Sequence, residues 1–152
     1  MTTTTTTFST GHVGLNVVDL DRSKHFYASV FGFELTTEGT DERRRFAFLA
    51  SGGKLAVTLW QQADSAFQNT HAGLHHVAFQ VDTVAEVGAA EARLRALGAD
   101  FAHDGIVAHA EGSQSGGIFF SDPDGIRLEI YSPNAGHGHD APAGTAPTCG
   151  FF

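Results

Sequence analysis

Two histidines and one glutamate carry the chemistry that this sequence is best equipped to perform. His12 opens the run His12-Val13-Gly14-Leu15-Asn16-Val17, and His76 opens a second run, His76-Val77-Ala78-Phe79-Gln80-Val81, that matches it position for position. Glu129 lies near the end of the stretch that follows the second copy. Two imidazoles and a carboxylate that converge on one point suit a single divalent ion, whether iron, manganese, zinc or nickel. Three protein donors leave coordination positions open for a small molecule.

Convergence requires the right elements. The first copy reads as a strand at 12–18, a helix at about 21–31 and strands near 33–37, 43–50 and 54–60. The second repeats that order, with a strand at 75–81, a helix at about 84–97 and strands near 100–107, 116–121 and 126–131. Helix one has Asp19 or Asp21 as its cap and Gly32 as its stop, and Phe26, Tyr27, Val30 and Phe31 form its packed face. Helix two opens on the capping-box pattern Thr83-Val84-Ala85-Glu86, carries Val87, Ala90, Leu94 and Leu97 at helical spacing, and closes at Gly98. Phe31-Gly32 aligns with Leu97-Gly98, and Gly52-Gly53-Lys54-Leu55-Ala56 with Gly125-Ile126-Arg127-Leu128-Glu129.

Side chains alternate between the faces of a strand. Val13, Leu15 and Val17, with Val77, Phe79 and Val81, are uniformly apolar and belong beneath the helices. His12, Gly14 and Asn16, with His76, Ala78 and Gln80, are small or polar and belong on an open, concave face. In the last strand Leu128 and Ile130 take the packed side, so Arg127, Glu129 and Tyr131 share the open side with the histidines. A two-histidine, one-carboxylate set is the arrangement of non-haem iron(II) oxygenases, although other borderline ions accept it equally. Glu129 is therefore both a candidate ligand and the candidate catalytic residue. Asn16, Thr58, Trp60, Gln80, Phe119, Arg127 and Tyr131 are expected to line the substrate pocket, with Trp60 and the Phe residues as an apolar wall.

At 152 residues the chain is large enough for one ordinary domain, so each half-repeat is a module. Residues 1–10 are expected to form a Thr-rich, frayed start, 11–132 a single domain (module one 11–62, module two 74–132), and 133–152 a flexible tail whose last two aromatics, Phe151 and Phe152, are candidates to dock back. The net charge of −8 repels nucleic acid and anionic membrane surfaces, and no run is apolar enough to span a bilayer. The Thr-rich start has no secretory pattern, which makes a cytoplasmic location the default expectation. A single cysteine, Cys149, excludes an internal disulfide and any multi-cysteine zinc site. Cys149 itself reads as a tail-borne thiol without a positioned base. His103 and His109 read as surface residues, and His75, of opposite parity to His76, as structural or exposed.

Over residues 11–132 the chain resembles the vicinal oxygen chelate superfamily, which contains glyoxalase I, extradiol dioxygenases, fosfomycin thiol transferases, methylmalonyl-CoA epimerase and bleomycin-binding proteins. The resemblance rests on Gly11-His12-Val13, Phe26-Tyr27 with Phe31-Gly32-Phe33, His75-His76-Val77-Ala78-Phe79, and Phe119-Phe120-Ser121-Asp122-Pro123-Asp124-Gly125 leading to Leu128-Glu129. It implies an α+β fold of two tandem βαβββ modules forming a curled mixed sheet around a metal-binding cavity, the glyoxalase/bleomycin resistance/dihydroxybiphenyl dioxygenase fold. The resemblance then places His12, His76 and Glu129 on ligand positions for one divalent metal and implies a homodimer. The implied activity is dioxygenase-like or glyoxalase-like lyase or isomerase chemistry on a small molecule that chelates the metal through two neighbouring oxygens. The family's other option is sequestration of an antibiotic, as in bleomycin resistance. Glyoxalase I and the epimerase place a fourth ligand where this chain has Ala56, which disfavours four-ligand isomerase chemistry. Extradiol enzymes carry a His in the loop before the penultimate strand and a Tyr within it, neighbourhoods that here hold Gln114 and Phe119. The fosfomycin enzymes also need a Tyr in that strand and basic residues about the phosphonate, which this sequence lacks.

Overall fold

In the computed structural model, which describes residues 1–2, 4–144 and 146–150, the chain folds as two four-stranded mixed sheets with two α-helices. The elements run β1 (Val13–Asn16), α1 (Leu20–Phe31), β2 (Glu34–Gly39), β3 (Phe46–Ser51), β4 (Lys54–Trp60), β5 (Val77–Gln80), α2 (Val84–Ala96), β6 (Val107–Ala108), β7 (Gly116–Ser121) and β8 (Arg127–Ser132), followed by a 3-10 turn at Thr148–Gly150. The sheets have the orders β1-β4-β3-β2 and β5-β8-β7-β6, so the βαβββ duplication read from the sequence is present. The chain groups into two units, one of residues 1–28 and 32–63, the other of residues 29–31 and 64 onward.

Each unit follows the same construction. The opening strand pairs in parallel with the last strand, β1 with β4 and β5 with β8, and the remaining pairings are antiparallel. A parallel pair needs a crossover, which the helix supplies. Asp19 caps α1 by accepting from the Arg22 amide at 3.0 Å, and Gly32 ends it in the left-handed region at φ 67°. The Thr83–Glu86 capping box of α2 is complete, and Val87, Ala90 and Leu94 are its buried stripe. Leu15, Val17, Val57 and Leu59 are core residues of the first unit, as Val77, Ile118, Phe120, Leu128 and Ile130 are of the second. The apolar parity set is thus the packed one.

Beyond shifts of a few residues at strand ends, one strand and one alignment depart from expectation. The strand at 100–107 reduces to a bridge between Phe101 and Phe120 and to the two-residue β6, because Gly105 at φ 71° lies between them and interrupts the extended backbone. The expected alignment of Ala56 with Glu129 is also displaced. Val13 pairs with Val57 and Gly14 with Thr58, whereas Val77 pairs with Leu128 and Ala78 with Glu129. Thr58 is therefore the counterpart of Glu129, and Trp60 that of Tyr131. The turn glycines do not align the strands, because a glycine marks where a hairpin closes, not how far the following strand slides.

A charged cluster ties α1 to its sheet. Arg45 grips Asp21 through two guanidinium nitrogens at 2.8 and 3.2 Å, and Lys24 bridges Asp21 and Glu38. The Arg45 hydrogen bonds, followed by those of Lys24, hold the Asp21 carboxyl at about 2, below its ordinary 3.8. A depressed folded-state value adds stability that is complete above the unfolded value and disappears as pH falls to the folded one. Asp21→Asn is therefore expected to flatten the acid limb of the stability curve between pH 3.8 and about 2, read by urea unfolding at stepped pH. An unchanged limb would show that this cluster is not coupled to folding.

Candidate metal centre

His76 immediately precedes β5, and Glu129 lies on β8 opposite Ala78, so both side chains leave the same face of adjacent strands. His76 Nε2 stands 3.6 Å from Glu129 Oε2. That separation is long for a hydrogen bond but close to the roughly 3.4 Å between two donors each about 2.1 Å from one tetrahedral ion. On the other side of the ring, His76 Nδ1 lies 2.8 Å from His75 Nδ1, so one of the two must donate. With the proton on His76 Nδ1, Nε2 keeps its lone pair beside Glu129, the tautomer that a metal requires. Burial pushes the His76 pKa below its ordinary value, opposed by Glu129 and reinforced by the charges of His75 and Arg127. The neutral, ligating form is thereby favoured.

Glu129 is only 2% exposed, although parity places it on the open face. His109 lies on that face and hydrogen-bonds Glu129 Oε1 through Nε2. The surface role expected for His109 is corrected here. The His109 amide donates to Ser115 O at 3.0 Å, closing the β6–β7 connection so that the ring reaches β8. An ionised carboxylate only accepts, so His109 donates from Nε2 and takes a hydrogen bond at Nδ1 from Ser115 Oγ, 2.7 Å away. Ser113 Oγ continues the chain at 3.1 Å from Ser115 Oγ.

Cys149 also reaches this place. Thr148 donates its amide to His109 O at 2.9 Å and its hydroxyl to Ala108 O at 2.7 Å, which fixes the 148–150 turn beside β6. Donor atoms of His76, Glu129 and Cys149 then all lie within 4.8 Å of one another, a set that could hold a metal ion. Burial, and after it the Glu129 charge, raises the Cys149 pKa. Nothing in the sequence near Cys149 signals this placement. For His109 the available signal was its short distance in sequence from Ser115 at the mouth of a hairpin.

The other expected residues are divided between the two units. In the second unit, Gln80 accepts from the Tyr131 hydroxyl at 2.9 Å, and Phe119 is fully buried with its ring edge-on to His103 and His109. Arg127 lines a cleft of about 310 Å³ with Asp100, Phe101 and Ser121. In the first unit, His12 is exposed and precedes β1 as His76 precedes β5. Asn16 accepts from the Gln62 amide at 3.0 Å, and Trp60 donates to Thr58 Oγ1 at 3.0 Å while stacking on Phe46.

The family model for the Glyoxalase/Bleomycin resistance protein/Dioxygenase superfamily matches residues 9–130. The chain belongs to that superfamily. As a superfamily member it is similar to a catechol-2,3-dioxygenase of Bacillus subtilis, 31% identical over 125 residues, covering 80% of this chain and 40% of that relative. It thus spans two fifths of that relative's length. A probable trivalent organoarsenical cleaving enzyme of the same bacterium is 33% identical over 120 residues, covering 79% of this chain and 77% of the relative. Among solved structures, a glyoxylase/bleomycin resistance protein/dioxygenase domain from Frankia superposes with a TM-score of 0.72 at 27% identity, covering 88% of this chain and 98% of that one.

The partners of Glu129 generate a stability prediction. His109→Ala leaves a buried carboxylate oxygen without its hydrogen bond, so unfolding free energy is expected to drop by about 1–3 kcal/mol in a urea titration. A variant as stable as the parent would mean that His109 does not support Glu129 in solution.

Proposed function

We propose that this protein is a divalent-metal enzyme acting on a small molecule that binds the metal through two neighbouring oxygens, with dioxygenase-like chemistry as its reaction class. The observation that carries this reading is the spacing of His76 Nε2 and Glu129 Oε2, with His75 placed to set the His76 tautomer. His12, the counterpart of His76 in the first module, is proposed as the remaining histidine ligand, so that His12, His76 and Glu129 form the set. The ion would be iron, manganese, zinc or nickel, and when bound it supplies Lewis acidity toward the paired oxygens.

The chain's own residues perform the rest. Glu129, held from one side by His109, presents its other oxygen in a fixed direction. With His109 donating to Glu129 and accepting from Ser115, the side chains of His109, Ser115 and Ser113 form a hydrogen-bonded row oriented to deliver a proton toward Glu129. This row supplies the histidine before the penultimate strand that Gln114 could not provide, which favours the dioxygenase class. The position matching Glu129 in the first module belongs to Thr58, whose hydroxyl already accepts the Trp60 indole N–H. A carboxylate fourth ligand is thus lacking there, and the four-ligand isomerase pattern is less well supported.

Elemental analysis of untagged protein, anaerobic iron(II) loading and oxygen uptake with catechols test the proposal. Metal at one ion per chain and catechol-dependent uptake, both lost in Glu129→Ala, are expected. Protein that retains no metal under any loading condition would refute it. His75→Ala is expected to weaken metal binding roughly tenfold to a hundredfold, as loss of an outer partner does, measured by competition with a chromogenic chelator. Unchanged affinity would remove His75 from the site.

A further inference from the structure

The thiol of Cys149 has no part in the chemistry proposed above, yet the fold takes trouble to put it beside the proposed donors. Thr148 is buried and makes hydrogen bonds to two successive backbone carbonyls, those of Ala108 and His109. The same His109 donates its ring N–H to Glu129, so the turn and the carboxylate are anchored to one residue. A packing role for Cys149 would need only apolar neighbours. Instead Sγ, a carboxylate oxygen and an imidazole nitrogen lie mutually within 4.8 Å.

We propose that Cys149 is a sulfur donor to the same divalent ion as His76 and Glu129. This rests on the reading that His76 and Glu129 hold the ion. Coordination forms a sulfur–metal bond and releases the thiol proton to solvent. A thiolate biases the site toward zinc, cobalt, nickel or iron(II) and away from manganese and magnesium, which prefer oxygen donors. With His12, His76 and Glu129 as the other proposed donors, a six-coordinate ion would keep two positions for the paired oxygens, and the 148–150 turn would take part in setting which ion is held.

Cobalt(II) loading of the untagged full chain tests this without any assay of turnover. The expected spectrum has a sulfur-to-cobalt charge-transfer band in the near ultraviolet at one cobalt per chain. Cys149→Ser should keep the cobalt, lose the band, bind about tenfold or more weakly, and lose preference for zinc over manganese. On the unmodified protein, alkylation of the single cysteine by iodoacetamide should slow when cobalt or zinc is bound and recover with chelator. Full cobalt occupancy with no such band and with undiminished alkylation would overturn Cys149 as a ligand while leaving His76 and Glu129 in place. A band that persists in Cys149→Ser would overturn it too. Failure of the unmodified chain to hold cobalt at all would sink both this inference and the metal reading beneath it.

Discussion

A carboxylate buried to 2% exposure is the constraint around which the second unit is organised. Burial of a charged group without partners is far costlier than any single contact can offset, so Glu129 must be met from several directions. β5 supplies His76 by its parallel register with β8, the β6–β7 connection supplies His109, and the 148–150 turn brings Cys149. Three segments distant in sequence are thereby committed to one spot. Each of them offers a side chain that can hydrogen-bond or ligate.

Comparison of the two sheets shows how one construction yields two different interiors. Their opening and last strands pair in the same register, and even the amide that follows each opening strand is used alike. Val17 donates to Trp60 O at 2.8 Å, and Val81 to Tyr131 O at 2.9 Å. What differs is the filling. In the first unit Phe46 stacks on Trp60, whose indole N–H donates to Thr58 Oγ1, so aromatic rings occupy that part of the sheet. In the second, the position matching Phe46 is Gly117, where an added Cβ would lie 2.3 Å from Ile130 O. A side chain is therefore excluded there, and Tyr131 turns its hydroxyl to Gln80 while its ring meets the edge of His109.

Such divergence explains why the parity argument worked where it did. Apolar alternation survives in both copies because each opening strand packs one face on a core, and a shift by one residue would invert every side chain. Hence Leu15 and Val17 are buried while Gly14 and Asn16 are exposed. Helix boundaries were equally legible, since Asp19, Thr83 and Gly32 act through bonds to residues a few positions away. By contrast, the match of Ala56 to Glu129 relied on turn residues, and turns fix chain reversal without fixing the slide of the strand beyond them.

The sequence by itself determined the duplicated βαβββ order, the caps, the apolar faces and the pairing of His76 with Glu129 as candidates, because all of these follow from periodicity and local hydrogen bonding. Only the tertiary structure decided that His75 sets against His76, that His109 supports Glu129, that Thr58 is the true counterpart of Glu129, and that Cys149 arrives among the donors. These depend on strand register and on a turn held by two backbone carbonyls more than 35 residues away, at Ala108 and His109. No local pattern encodes a contact whose partners are chosen by the closure of other segments.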